Sequence, residues 1–343
     1  MPTGITGHVG LHVAAPSLAA IHVAQEHHRN GSVELSVGVT ATGRWGAADL
    51  AARGLSLQLE LCYPECGHGR ADVAGAAGVA DVLGSAAGTP APPLTEYQRR
   101  SLEPEAMTQR AAVLSDAAVA QHPAIADALS GAPFRTRLLI AAPRLWWPRD
   151  HGEQPLYQLR ATLRCTATPS RSADHAGECS ARDAQPTPLR RQIGLRTVAL
   201  VQEPAQPPEA GQPAGTSFYF RVNGVPVFAK GTNLIPMDVF KPRATAERAA
   251  WLLERAAAAH MNMVRVWGGG IYQPDWFYDL ADKLGIMLWQ EMVFACALYP
   301  RDAAFLERVR TEVGQQVARL ATHPSIVIWG GSNENEYAIQ VRR

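Results

Sequence analysis

The period of the apolar residues changes once along this chain, and that change restricts it to two unlike structural units joined by a linker. Before about residue 203, apolar side chains alternate with others: Val33, Leu35, Val37 and Val39; Leu55, Leu57, Leu59 and Leu61; Tyr157, Leu159, Ala161 and Leu163. Period two puts one set of side chains on a buried face and the other in water. Short strands of this kind, separated by Gly and Pro, predict an all-β sandwich. After a Pro/Gly/Ala linker at 203–215 the pattern becomes one of short apolar strands alternating with helices. At 343 residues the chain is long enough for each part to bury its own core.

In the second part, Val227 to Lys230 reads as a strand, and Thr245 caps a helix running to about Ala259. Met263 to Trp267 is the next strand; Pro274 opens a helix that Gly285 closes. Ile286 to Trp289, a helix from Asp302 to Ala321, and Ile326 to Trp329 complete the series. Strands about 25 to 40 residues apart with helices between them describe βα units of a parallel sheet. Both a (β/α)8 barrel and an open doubly wound sheet satisfy this spacing. The barrel is favoured because Asn233, Trp267, Gln290 with Glu291, and Asn333 with Glu334 stand just after the strands, where barrel sites are built. Residues 226–343 are fewer than half of the roughly 250 in a typical barrel.

Two stretches break the pattern. Residues 65–132, rich in Ala, Gly and Pro with a helix expected near 105–119, and residues 166–188 read as insertions with little apolar area to offset chain entropy. Asn30-Gly31 between alternating runs is a hairpin signal, preferred over the glycosylation acceptor that Asn30-Gly31-Ser32 also spells. Cys62, Cys66, Cys165, Cys179 and Cys296 lack paired metal spacing and read as free thiols; His260 and His323 read as packing or helix-end residues. The charges, 32 basic against 31 acidic, offer no field for nucleic acid or an anionic membrane. Met1 to Gly10 has no secretory pattern and no run approaches the roughly 20 apolar residues of a membrane span, so the compartment stays open. No cofactor is implied.

The runs Val222 to Asn233, Asn262 to Gly270, Trp289-Gln290-Glu291 with Phe294 to Ala297, and His323 to Trp329 with Asn333 to Glu336 follow one another in an order that resembles family 2 glycoside hydrolases of the β-mannosidase type. Leu145 to Pro148, Gln154 to Tyr157 and Ile193 to Arg196 are similar to the immunoglobulin-like domain that precedes the barrel in that family; Gly4 to Val9 resembles the end of its jelly-roll domain. The resemblance implies a jelly-roll end at 1–12 and an immunoglobulin-like β-sandwich at 13–202 carrying both insertions. Beyond the linker at 203–215, residues 216–343 would be the first four βα units of a TIM barrel. Material would then be lacking at both ends.

A retaining glycosidase uses two carboxyl groups about 5–5.5 Å apart, one to attack the anomeric carbon and one to protonate the leaving oxygen. The resemblance assigns the acid/base to Glu334, directly after Asn333. Standing at the mouth of an apolar strand, Glu334 is expected to be partly desolvated, which favours its protonated form. Asn333 would contact the sugar near its 2-hydroxyl, Trp267 would wall the sugar subsite, and Arg265 would hold the nucleophile carboxylate or serve as a structural ion pair. Glu291 is a further binding candidate, although aspartate is common at its place in the family and one extra methylene would shift a sugar contact. Glu336 and Tyr337 would be outer or loop residues. The nucleophile, a glutamate on a seventh strand in the family, has no counterpart in this chain.

The implied activity is removal of terminal β-D-mannose from oligosaccharides or glycoprotein glycans, with no nucleic acid or membrane partner. Two alternatives stand beside it: another family 2 exo-glycosidase (β-galactosidase, β-glucuronidase or exo-glucosaminidase), and a truncated chain inactive by itself because its nucleophile is missing. Family members are lysosomal, secreted or cytosolic.

Overall fold

The computed structural model describes residues 17–42, 55–63, 134–165, 188–204 and 215–341. The expected jelly-roll end at 1–12, the helix near 105–119, most of both insertions and most of the linker lie outside these residues.

The first unit holds strands β1 (Ser17–His27), β2 (Val33–Thr42), β3 (Leu55–Cys62), β4 (Phe134–Ile140), β5 (Tyr157–Cys165) and β6 (Leu189–Ile193). They form two antiparallel sheets, ordered β1-β2-β4 and β3-β5-β6. Ile21, Val33, Leu35, Val37, Val39 and Ile140 of the first sheet share one buried cluster with Tyr157, Leu159, Ala161 and Ile193 of the second. The period-two reading therefore identified the inward side of Val33, Leu35, Val37, Val39, Tyr157, Leu159 and Ala161, while the side chains of Leu55, Leu57 and Leu163 lie outside the described residues; each buried Val or Leu contributes about 1.5–3 kcal/mol by leaving water. The hairpin expected at Asn30-Gly31 joins β1 to β2: Asn30 Oδ1 accepts from the Ser32 N–H at 3.1 Å, and Gly31 takes φ +83°.

A third antiparallel sheet follows, β7 (Val198–Val201), β8 (Tyr219–Val222) and β9 (Val225–Val227). Asn223 and Gly224, at φ +49° and +79°, turn β8 into β9 with both central residues left-handed, the tight hairpin geometry that suits strand twist. This corrects the strand expected at Val227 to Lys230. Val227 closes the hairpin, and the backbone beyond it is gripped by a side chain rather than a strand: Asn262, fully buried, accepts from the Lys230 N–H at 2.8 Å and donates to the Phe228 carbonyl at 3.0 Å.

The first parallel strand is consequently β10 (Gly231–Leu234), followed by α1 (Ala246–Ala258), β11 (Met263–Val266), α2 (Asp275–Leu284), β12 (Met287–Glu291), α3 (Ala303–Leu320), β13 (Ile326–Gly330) and α4 (Asn335–Val341). Strands β10 to β13 pair in chain order, all parallel. Thr245 caps α1 by accepting from the Arg248 N–H, and Asp302 caps α3 by accepting from the Phe305 N–H. Gly285 ends α2 in the left-handed conformation, φ +70°. Alternation within the strands sends Val264, Val266, Leu288 and Ile326 toward α1 and α2, against Leu253, Phe277 and Tyr278. Met263 and Met287 instead join Trp146, Phe220, Val222 and Val227 in a separate cluster that ties the sheet to the β8–β9 hairpin.

Polar ties fix the sandwich to the parallel sheet. The buried Trp146 indole donates to the Asp282 carbonyl at 2.8 Å. Arg196, just past β6, donates from Nε to the Pro324 carbonyl at 2.8 Å and from Nη2 to the Ile326 carbonyl at 2.6 Å, at the foot of β13. Burial lowers its guanidinium to about 10, with Asp282 opposing the shift, so it stays charged at neutral pH. Arg196→Met should lower unfolding free energy by about 1–3 kcal/mol in a urea titration, because two carbonyls lose their donors. An unchanged midpoint would show that water replaces the guanidinium there.

His323 is also more engaged than a packing residue. Its Nδ1 lies 2.6 Å from the buried Asp282 Oδ2, and Asp282 Oδ1 accepts from the Ser325 N–H at 3.0 Å. Asp279, whose carboxyl burial pushes upward, joins Asp282 and His323 to bring metal-type ligand atoms within 4.8 Å of one another, a grouping that sequence spacing did not reveal. Both Asp282 oxygens are nevertheless taken up by protein donors, and the cluster ties α2 to β13.

Candidate active site

The register of the parallel strands places the site residues. Asn233 of β10 is the direct partner of Arg265 on β11, and Arg265 of Trp289 on β12. Three neighbouring strands thus present an amide, a guanidinium and an indole side by side toward their C-terminal ends. The Arg265 guanidinium lies 5.0 Å from the Trp289 ring centroid, a cation–π distance.

Arg265 is the hub. It donates from Nε and Nη2 to Glu291 Oε1 at 3.0 and 2.6 Å, from Nη1 to Asn233 Oδ1 at 3.1 Å, and from Nη2 to Asn333 Oδ1 at 2.6 Å. Residues widely separated in the chain converge on one planar, rigid donor group, a geometry that arginine supplies and lysine does not. Glu291 is only 2 % exposed, and its second oxygen accepts from the Gly268 N–H at 2.8 Å. Both carboxylate oxygens therefore face protein donors. Close packing surrounds it: a Cβ at Gly268 would stand 2.5 Å from the Met292 carbonyl oxygen, and one at Gly330 would stand 2.9 Å from Glu291 Cγ. The two glycines make room for this glutamate.

Asn333 is buried just beyond β13, while Glu334 next to it is exposed. The expected desolvation of Glu334 is not what the fold provides. Glu334 has left the strand at φ +56° and accepts from the Ala338 N–H through its backbone carbonyl, opening α4, so its side chain projects beyond the apolar sheet. Among the described residues its side-chain hydrogen-bond partner is the Cys296 thiol, with Sγ to Oε2 at 3.7 Å.

Of the residues singled out in the sequence, Arg265, Glu291 and Asn333 form one hydrogen-bonded group, with Glu334 joined to it through Asn333 and Cys296. Trp267 is half-buried, its six-membered ring filling the space beside Gly269. Gln290 turns away and accepts from the Tyr278 hydroxyl at 2.8 Å. Glu336 and Tyr337 are exposed on α4. Sequence reasoning placed Asn233 at a strand end where barrel sites are built without giving it a contact, and gave no site role to Trp289 or Cys296, although each stands within a motif already noted; only strand register could show that they meet.

No family model matches the chain. A β-mannosidase from Capra hircus is 45% identical to it over 196 residues, which are 57% of this chain and 20% of that protein. The chain thus spans about a fifth of the length of the curated relatives it matches. Among solved structures, a β-D-mannosidase from Dictyoglomus thermophilum superposes with a TM-score of 0.59 at 29% identity, covering 94% of this chain and 30% of that one. A β-glucuronidase from Parabacteroides merdae superposes with a TM-score of 0.56 at 16% identity, over 94% of this chain and 29% of that one, a likeness of fold alone.

Proposed function

We propose that this chain, of the β-mannosidase type among family 2 glycoside hydrolases, carries the acid/base half of a retaining site that removes terminal β-D-mannose from oligosaccharides. In this reading the strands between Ser17 and Ile193 belong to an immunoglobulin-like sandwich. Residues 216–343 supply the first four βα units of a (β/α)8 barrel. The observation that carries it is the convergence of Asn233, Arg265, Glu291 and Asn333 beside Glu334 at the ends of successive parallel strands, in a chain whose sequence relatives are β-mannosidases.

Glu334 protonates the glycosidic oxygen as the bond breaks, then takes a proton from the water that releases the sugar. Asn333, held by Arg265, presents its amide toward the bound sugar, and Trp267 offers an aromatic face to the C–H surface of the pyranose. Glu291 acts at one remove. With both oxygens engaged it orients Arg265 instead of touching the sugar, and for the same reason it is unsuited to attack carbon. The nucleophile in this reading is a carboxylate that the described residues do not include.

The substrate assignment is tested with nitrophenyl glycosides and the full natural polypeptide. The β-mannoside should give kcat/KM at least about 100-fold above the β-galactoside, β-glucuronide and β-glucosaminide. Such a ratio is within reach when a site hydrogen-bonds specific hydroxyls. Faster cleavage of any of the other three would move the protein to a different activity of the same family.

A further inference from the structure

We infer that Cys296 is a positioning residue for Glu334, setting the direction of its carboxyl through the thiol; this rests on the reading of Glu334 as the acid/base. The loop after β12 and the loop after β13 continue the parallel pairing by one step: Ala295 bridges Asn333, the Asn333 N–H donates to the Phe294 carbonyl at 2.8 Å, and the Cys296 N–H donates to the Asn333 carbonyl at 2.9 Å. One residue further on, both loops turn left-handed, Cys296 at φ +50° and Glu334 at φ +56°. Neither is glycine, so each adopts a conformation that a Cβ disfavours. The matched turns bring Sγ to 3.7 Å from Glu334 Oε2.

The thiol is held from its other side as well. Asn333 Oδ1 must face Arg265, which has only N–H donors to offer, and this turns the Asn333 Nδ2 toward Cys296 Sγ at 3.2 Å. The chain of hydrogen bonds therefore runs from Glu291 through Arg265 and Asn333 to the sulfur, and from the S–H to the acid/base carboxylate. The loop carrying Cys296 is itself fixed, since the Ala295 N–H donates to the Tyr299 hydroxyl at 2.9 Å and Tyr299 packs edge-on against Phe294.

A thiol suits a carboxyl that must cycle between two protonation states. Sulfur is a weak donor and a weak acceptor, so Cys296 can donate to the carboxylate and accept from the carboxylic acid without holding either form. A cation at this place would favour the ionised form and oppose proton donation.

The test compares Cys296→Gly and Cys296→Ser in the full natural polypeptide, on a β-mannosyl oligosaccharide and on a nitrophenyl β-mannoside. Glycine accepts the left-handed backbone but brings no side chain, so Cys296→Gly should keep its melting temperature and KM while kcat on the oligosaccharide falls about tenfold through misdirection of the acid. The loss should be smaller on the aryl glycoside, whose leaving group depends less on protonation. Cys296→Ser, which restores a hydroxyl donor and acceptor, should regain most of the lost kcat. Wild-type kcat in Cys296→Gly, or Cys296→Ser no better than Cys296→Gly, would overturn the inference. If Glu334→Gln abolishes oligosaccharide turnover while Cys296→Gly does not lower it, the role of Cys296 alone is refuted. Should Glu334→Gln retain full turnover, the acid/base assignment falls and the inference falls with it.

Discussion

Glu334→Gln is expected to lower kcat on a β-mannosyl oligosaccharide by about 10³-fold, the middle of the range that general acid–base catalysis contributes. The side chain is exposed and meets the fold through Cys296, so an isosteric amide should fold as well as the glutamate. The loss should then be one of proton delivery. A dinitrophenyl β-mannoside separates the two jobs of this residue: its leaving group departs without protonation, so sugar attachment should proceed near the wild-type rate while release stalls for want of a base. A burst of dinitrophenol equal to the enzyme concentration, followed by slow turnover, is the expected signature. Equal losses on both substrates with no burst would point to a binding or folding role for Glu334.

Arg265→Met carries the largest expected stability cost. Glu291 is sealed from water, and the salt bridge to Arg265 is its main compensation, with the Gly268 N–H the remaining donor. Removing the arginine strands a carboxylate in the sheet, at a cost of about 3–5 kcal/mol in urea unfolding. Replacing both partners, as in Arg265→Met with Glu291→Met, should recover more than half of that loss, because the buried charge is gone. Activity should not return with stability, since Asn333 has lost the donor that orients its amide. Recovered activity in the double variant would remove Arg265 from the machinery and leave it a purely structural partner of Glu291.

How much of this was legible without coordinates varies from residue to residue. The inward faces of the sandwich were readable because a strand's side-chain period is two and Val33, Leu35, Val37 and Val39 kept to it. The helices were readable from their ends, where Thr245, Asp302 and Gly285 meet needs that are local to the backbone. The first parallel strand was misplaced by about four residues because Val227, Phe228 and Ala229 make a short apolar run, which periodicity by itself cannot tell from a strand. The Asn262 amide that occupies their backbone comes from more than thirty residues away.

The site divides along the same line. Asn333 and Glu334 were recognisable as a motif, and Arg265 as a charge on an apolar strand. Their environments were not. The exposure of Glu334 depends on a left-handed turn and on what stands around it, and the burial of Glu291 depends on the closeness of Gly268 and Gly330. By itself the sequence determined the change from sandwich strands to alternating strands and helices, the helix ends, and the core-facing side of strands such as β2, because those follow from neighbours along the chain. Only the tertiary structure decided that Asn233, Arg265, Glu291 and Asn333 share one hydrogen-bonded group and that a thiol reaches Glu334. Strand register and loop pairing set those distances, and both arise from contacts between segments that the chain keeps far apart.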